Sequence, residues 1–211
     1  MMDFEKLSSA VIAGNEVKVR ELVQSYLEES IDPLEIINQG LVGGMGVVGA
    51  RFKNGEMFVP EVLMSARAMN GGLDLVKPLI ADTDLPSVGK VVLGTVKGDL
   101  HDIGKNLVGM MMESAGLTVF NLGVDVSPEK FVAVAREQQA NIVAMSALLT
   151  TTMLHMKDTI EILKEEGFRD QVKVIVGGAP VSNDFAEEIG ADGYAPDAAS
   201  ATDLCKNLLK I

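Results

Sequence analysis

From residue 90 onward, short apolar runs rich in β-branched residues alternate with longer amphipathic ones, and this alternation limits the possible folds more than any other feature. Residues 90–96 (Lys90-Val91-Val92-Leu93-Gly94-Thr95-Val96), 117–122, 141–146 and 172–176 read as strands, with a fifth, short one near Gly193-Tyr194. Helical patterning falls between and after them, at about 103–115, 128–139, 152–166, 182–189 and 197–209. Strands this uniformly apolar must be covered on both faces, and the helix after each strand supplies a crossover, so the sheet should be parallel. The expected fold is α/β, with a five-stranded, flavodoxin-like (Rossmann-like) sheet spanning residues 86–211. Ligands of such sheets bind beyond the carboxyl ends of the strands.

Residues 1–85 carry helical spacing throughout. Phe4, Leu7, Val11 and Ile12 form one stripe, broken at Gly14-Asn15. Val17, Val19, Leu22, Val23, Tyr26 and Leu27 form a second, and a third helix follows Pro33 through Leu34, Ile36, Ile37, Leu41, Met45 and Val48. Its second half is dense in glycine (Gly40, Gly43, Gly44, Gly46, Gly49), as close helix–helix approach requires. A fourth helix begins near Pro60, a favoured first-turn residue. Four helices with short connections predict an antiparallel four-helix bundle. Ala81–Gly89, polar with one proline and two aspartates, reads as the linker between the two domains.

The formal net charge of −12 gives no basic face for nucleic acid or an anionic membrane surface. Cys205 is the single cysteine, so there is neither an intrachain disulfide framework nor a cysteine-based metal cluster, and this sulfur, on the last predicted helix, is expected to be inert. The N-terminus has neither the basic nor the apolar segment of a signal peptide, and no apolar run approaches the ~18 residues of a membrane span. The chain reads as cytoplasmic.

Chemistry concentrates in Gly98-Asp99-Leu100-His101-Asp102-Ile103-Gly104-Lys105-Asn106, directly after the first predicted strand. One of only two histidines lies here with acids at Asp99 and Asp102. Gly98 and Gly104-Lys105 do not make a phosphate-binding loop of the Walker A type, which needs four residues between its glycines and a hydroxyl residue after the lysine. A metal site built from Asp99, His101 and Asp102 is a second reading, unsupported by any further His or Cys cluster. A loop histidine satisfied by its neighbouring carboxylates is a third.

Asp99-x-His101-x-x-Gly104, then Ser146-x-Leu148, then Gly177-Gly178, each after a predicted strand, resembles the D-x-H-x-x-G … S-x-L … G-G signature of cobalamin-binding domains. The resemblance implies that His101 is the axial ligand to cobalt in place of the cofactor's own base, a role suited to neutral imidazole. Asp99 would hold the other ring nitrogen, and Thr152 would complete a proton relay where the family has a serine. Ser146 and Thr150 would bond the displaced nucleotide tail, Ala198 would touch it through its backbone, and Gly104, Gly177 and Gly178 would leave it room. Asp102, Ile103 and Leu148 complete the cofactor-binding set implied for this half.

The first half, with Gly44-Met45-x-x-Val48-Gly49-x-x-Phe52, Gly55-x-Met57-Phe58-Val59-Pro60-Glu61-Val62 and Ser65-Ala66-Arg67, is similar to the helical cap of methyl-transferring cobalamin modules such as that of methionine synthase. By that resemblance Phe52, Val59 and Val62 would face the methyl-bearing side of the corrin, and the cap would swing about the linker. Together the two halves look like the corrinoid carrier proteins of methanogens and acetogens. Such a carrier is a cofactor-holding subunit, not an enzyme alone. It implies bound cobalamin or a related cobamide, a substrate-specific methyltransferase, a second methyltransferase serving tetrahydrofolate or coenzyme M, and a reductive activating protein. Methylamines, betaines, methanol and aryl methyl ethers are all served by such carriers, and overall similarity leans to the aryl ethers. The rival readings are the cobalamin module of an adenosylcobalamin-dependent mutase, which lacks the cap, and a cobalamin sensor, which adds a signalling or DNA-binding domain.

Overall fold

β1 (Lys90–Thr95), β2 (Thr118–Asn121), β3 (Ile142–Ser146), β4 (Lys173–Gly177) and β5 (Gly193–Ala195) form one parallel sheet in the order β2-β1-β3-β4-β5. The computed structural model showing this describes residues 4–80 and 88–210, so 81–87 of the expected linker lie outside the described residues. The chain divides into a helical unit and this α/β unit.

Period-two alternation sorts the strand side chains to two faces, both buried. Val92, Val143, Met145, Val174 and Val176 pack with Phe131, Val132, Met156 and Ile160. The first two of these helical residues come from α7 (Pro128–Glu137) and the other two from α8 (Leu154–Glu165). Val91, Leu93, Ile142, Ala144 and Ile175 pack on the other side with Met112 of α6 (Ile103–Ser114) and Ala201 and Cys205 of α10 (Ala198–Leu209). A further helix, α9 (Asn183–Ile189), precedes β5. One register row at the carboxyl edge sets Thr95 beside Ser146, Ser146 beside Gly177 and Gly177 beside Ala195. Strand order reverses at β1, so the crevice between the β1 and β3 ends is the topological switch point.

In the helical unit, α1 (Glu5–Ile12), α2 (Glu16–Glu28), α3 (Pro33–Glu35), α4 (Gly43–Lys53) and α5 (Val59–Val76) follow the expected stripes. Between α3 and α4, Ile36–Val42 is π-helical where the spacing predicts an unbroken α-helix. The Ser8 hydroxyl donates to the Gly40 carbonyl oxygen at 3.0 Å, a partner for backbone in the loosened turn. Part of the glycine density has the expected cause: a Cβ on Gly40 would collide with Leu7, and one on Gly44 would meet Val11 at 2.9 Å, whereas Gly46 faces open space.

Consecutive helices reverse, but the tightest pairings are between alternate ones. Glu16 meets Arg67 at 3.0 Å and Arg20 meets Asp74 at 3.5 Å, so α2 and α5 run alongside in the same direction. Leu7 against Gly40 and Val11 against Gly44 show the same for α1 and the rod containing α4. Short connections fixed the sense of each helix but not which helix it packs against.

Candidate functional site

Asp99 lies in the turn that follows β1, where Gly98 takes a left-handed φ of +79° and the Asp99 amide donates to the Val96 carbonyl oxygen at 3.1 Å. The turn directs the Asp99 side chain inward, and it is fully buried. Its Oδ1 accepts from the His101 backbone N–H at 3.0 Å and lies 2.7 Å from His101 Nδ1. Its Oδ2 accepts from the backbone N–H of Leu148 at 2.7 Å, from that of Leu149 at 3.3 Å and from the Thr152 hydroxyl at 3.0 Å. Burial pushes this carboxyl up, but the Leu148 and His101 amides, the His101 ring and the Thr152 hydroxyl outweigh it and hold the group down at about 2. The carboxylate is therefore ionised and can only accept, which places the proton of a neutral His101 on Nδ1.

His101 is held from two sides, since its carbonyl oxygen also accepts from the Thr95 hydroxyl at 2.8 Å. Its side chain is nevertheless 52% exposed, and Nε2 has no hydrogen-bond partner among the described residues. An anchored imidazole with a free Nε2 lone pair at a switch point is a ready ligand for a transition metal. The three-ligand alternative finds no support. Both Asp99 oxygens are occupied, by His101 in its own loop and by Leu148, Leu149 and Thr152 after β3. The Asp102 carboxylate accepts from Asn106 Nδ2 at 2.9 Å, and no group of three or more metal-ligating side chains occurs among the described residues.

The remaining sequence-derived positions divide. Ser146 ends β3 beside Gly177, half-buried, and its hydroxyl has no partner among the described residues. Leu148 serves Asp99 through its backbone while its side chain is exposed, and Thr150 is exposed. Ile103 is 81% exposed, and Gly104 beside it faces open space, as a ligand slot would need. At Gly177 and Gly178 the room is used by the protein itself. A Cβ on Gly177 would lie 2.8 Å from the Ala195 carbonyl oxygen, and one on Gly178, at φ +122°, would collide with the carbonyl of Ala147. Ala198 is buried at the start of α10. In the helical unit Phe52 is half-buried and Val59 36% exposed, but Val62 is completely buried and is core. His155 pairs with Asp158 at 2.8 Å, and burial pushes the Cys205 thiol up to about 12, consistent with an inert sulfur.

Two features escaped the sequence reading. One is the pair of backbone amides at Leu148 and Leu149 that fix Asp99. The other is an apolar surface: Leu100, Ile103, Leu148, Leu149 and Leu154 are all exposed, and all lie on the two loops or helix starts that flank His101. Leucines flanked by acids and threonines in a loop were the available signal. Such a patch around a polar anchor suits a broad, largely apolar ligand.

Comparison with known proteins says which ligand. Residues 89–203 match the model of a B12 binding domain, and residues 3–77 match a second B12 binding domain model. A corrinoid protein of Desulfitobacterium hafniense (strain Y51) is 49% identical over 208 residues, covering 97% of this chain and 96% of that protein. The chain belongs to the B12-binding corrinoid proteins. Among other corrinoid proteins of the family, dimethylamine corrinoid protein 2 of Methanosarcina acetivorans is 43% identical over 97% of this chain and 95% of its own length. The crystal structure of the methanol:cobalamin methyltransferase complex MtaBC from Methanosarcina barkeri superposes with a TM-score of 0.89 at 32% identity, over 98% of this chain and 79% of that one. The corrinoid-protein fold expected from the sequence, helical region first and parallel sheet second, is the one observed. No helix among the described residues is long and apolar enough to cross a membrane.

The residues present fit a corrinoid. The free Nε2 of His101 could ligate a metal, the five exposed apolar side chains would suit the face of a macrocycle, and the Cβ position of Gly104 faces open space.

Proposed function

We propose that this protein holds a cobamide through His101 and carries a methyl group between a substrate-specific methyltransferase and a second methyltransferase that serves tetrahydrofolate or coenzyme M. The observation that carries the reading is the buried Asp99 carboxylate fixing His101 by Nδ1 while Nε2 stays open. When bound, the cobalt supplies the nucleophile that takes up and gives up the methyl group. Asp99 holds the imidazole in one tautomer and orientation, and it raises the basicity of Nε2. The Thr152 hydroxyl, within 3.0 Å of Asp99 and 2.9 Å of the Leu149 carbonyl, can turn its single hydrogen to either. That choice gives the Asp99–His101 pair a partner to rearrange with when the ligand binds or leaves. Ser146, Thr150, Leu148, Gly104 and Ala198 line the path of the nucleotide tail in this reading. Phe52 and Val59 are the cofactor contacts this reading assigns to the helical unit. A reductive activator completes the system, in the cytoplasm.

Relatives named for dimethylamine and trimethylamine, at 43% and 44% identity, favour methylated amines over aryl methyl ethers as the methyl source. The helical half, which the mutase reading lacks, is itself matched by a B12 binding domain model.

The test uses the reconstituted protein, the methyltransferase that co-purifies with it, and isotopically labelled dimethylamine, trimethylamine, methanol and anisole in parallel. Label that stays with the protein through gel filtration for an amine, and is absent for His101→Ala, is the expected result. Retention that is indifferent to His101, or no retention from any donor, contradicts the reading.

A further inference from the structure

The β1–β2 ladder stops short of the site. Its last paired row is Leu93 with Asn121, and the strands meet again only at the isolated bridge between Val96 and Val126. Around that gap the loop after β2 is laced to the end of β1. Leu122 donates to the Leu93 carbonyl at 2.8 Å, Thr95 to that of Gly123 at 3.0 Å, and Val126 to that of Thr95 at 3.0 Å. Beyond the reach of the ladder, Asp125 takes over. Its backbone N–H donates to the Asp99 carbonyl at 3.0 Å, and its Oδ1 accepts the Gly98 N–H at 2.7 Å.

The two bonds grip the Gly98 amide and the Asp99 carbonyl. Neither group has another partner among the described residues. Gly98 is the residue most able to swing, with no Cβ and a φ of +79°. Asp125 reaches both sides of Asp99 only by adopting φ +52° itself, a left-handed conformation that costs a non-glycine residue free energy and that Asp, Asn and Gly tolerate best. Strain kept at one residue and matched by two bonds to the loop that carries the ligand is a positioning arrangement.

Building on the reading of His101 as the cobalt ligand, we propose that Asp125 is a positioning residue that fixes the Gly98–Asp99 segment and thereby keeps Asp99 aligned on His101. Nothing in the sequence motif includes it. It acts from the neighbouring strand's loop, so the ligand loop is anchored on the β2 side by Asp125 and on the β3 side by the Leu148 amide. Without the Asp125 carboxylate the Gly98 amide is free to rotate, and the 2.7 Å contact between Asp99 and His101 loses its fixed base.

Two variants separate the side-chain acceptor from the backbone conformation. Asp125→Gly retains the left-handed backbone and removes the acceptor, while Asp125→Asn retains both. Two readouts are taken: amide hydrogen exchange of Leu148 in the cofactor-free protein, with Val143 as a core control, and the fraction of bound cobalt(II) showing nitrogen superhyperfine splitting. Expected for Asp125→Gly are Leu148 exchange faster by a factor on the order of five to ten, unchanged Val143 exchange, and a reduced nitrogen-ligated fraction. Asp125→Asn should match wild type in both. Wild-type behaviour of Asp125→Gly, equal damage in the two variants, or Val143 accelerating together with Leu148 would overturn the proposal. Should wild type itself show no nitrogen ligation, the His101 reading falls, and Leu148 exchange still decides whether Asp125 positions Asp99.

Discussion

The Leu148 backbone N–H donates to Asp99 Oδ2 at 2.7 Å, joining loops 49 residues apart across the crevice between β1 and β3. One buried carboxylate thus ties together both sides of the switch point, and His101 is oriented through the other oxygen of the same group. A single carboxylate that holds both loops lowers the ordering cost that binding must meet, which strengthens affinity.

The Asp99 carboxyl, held at about 2 against an ordinary 3.8, makes the fold sensitive to acid. A carboxyl depressed by folding stabilises in full above its unfolded value, and that stabilisation is lost as pH falls through the folded one. Between about pH 4 and pH 2 the cofactor-free protein should lose about 2 kcal/mol on this account. Urea titrations of wild type and Asp99→Ala across this range should show the stability gap closing as pH falls. A gap that stays constant would mean the carboxylate is not held as described.

Gly104 and the fold are separable. Because its Cβ position faces open space within the first turn of α6, Gly104→Ala should keep or raise the stability of the cofactor-free protein, by up to about 0.5 kcal/mol. Cobalamin affinity, measured by absorbance titration, should fall by about tenfold if that space is part of the slot. Unchanged affinity would move the slot elsewhere.

Gly178 should behave in the opposite way. At φ +122°, with the Ala147 carbonyl in the place of its Cβ, Gly178→Ala is expected to destabilise the protein itself by about 2 kcal/mol or more. The urea midpoint of the cofactor-free variant reports this directly. Unaltered stability together with weaker cobalamin binding would restore the simpler picture, in which this glycine makes room for the ligand alone.

The contrast between these two glycines shows what was legible in the sequence. The strands, the helices and the D-x-H-x-x-G turn could be read because apolar alternation and turn residues are local signals. Of the partners of Asp99, His101 and Thr152 came with the family resemblance, but the Leu148 and Leu149 amides could not be read, because a backbone amide has no sequence signature. The π-helical stretch at Ile36–Val42 was hidden for a related reason: its composition is that of an ordinary helix, and only Ser8 and Leu7, packed against it, reveal the loosened turn. Val62 is the converse case: the family pattern assigns it to the cofactor, whereas in the structure its side chain is completely buried.

The central claim is that the nitrogen on cobalt comes from His101. Protein labelled with nitrogen-15 in histidine alone, loaded with cobalamin and reduced to cobalt(II), decides it by electron paramagnetic resonance. Nitrogen-14 splits each cobalt line into a triplet and nitrogen-15 into a doublet, so labelling should convert triplets into doublets in wild type and in His155→Ala, with the splitting absent in His101→Ala. Triplets that persist in the labelled protein would show that the cofactor keeps its own base and that His101 is not the ligand.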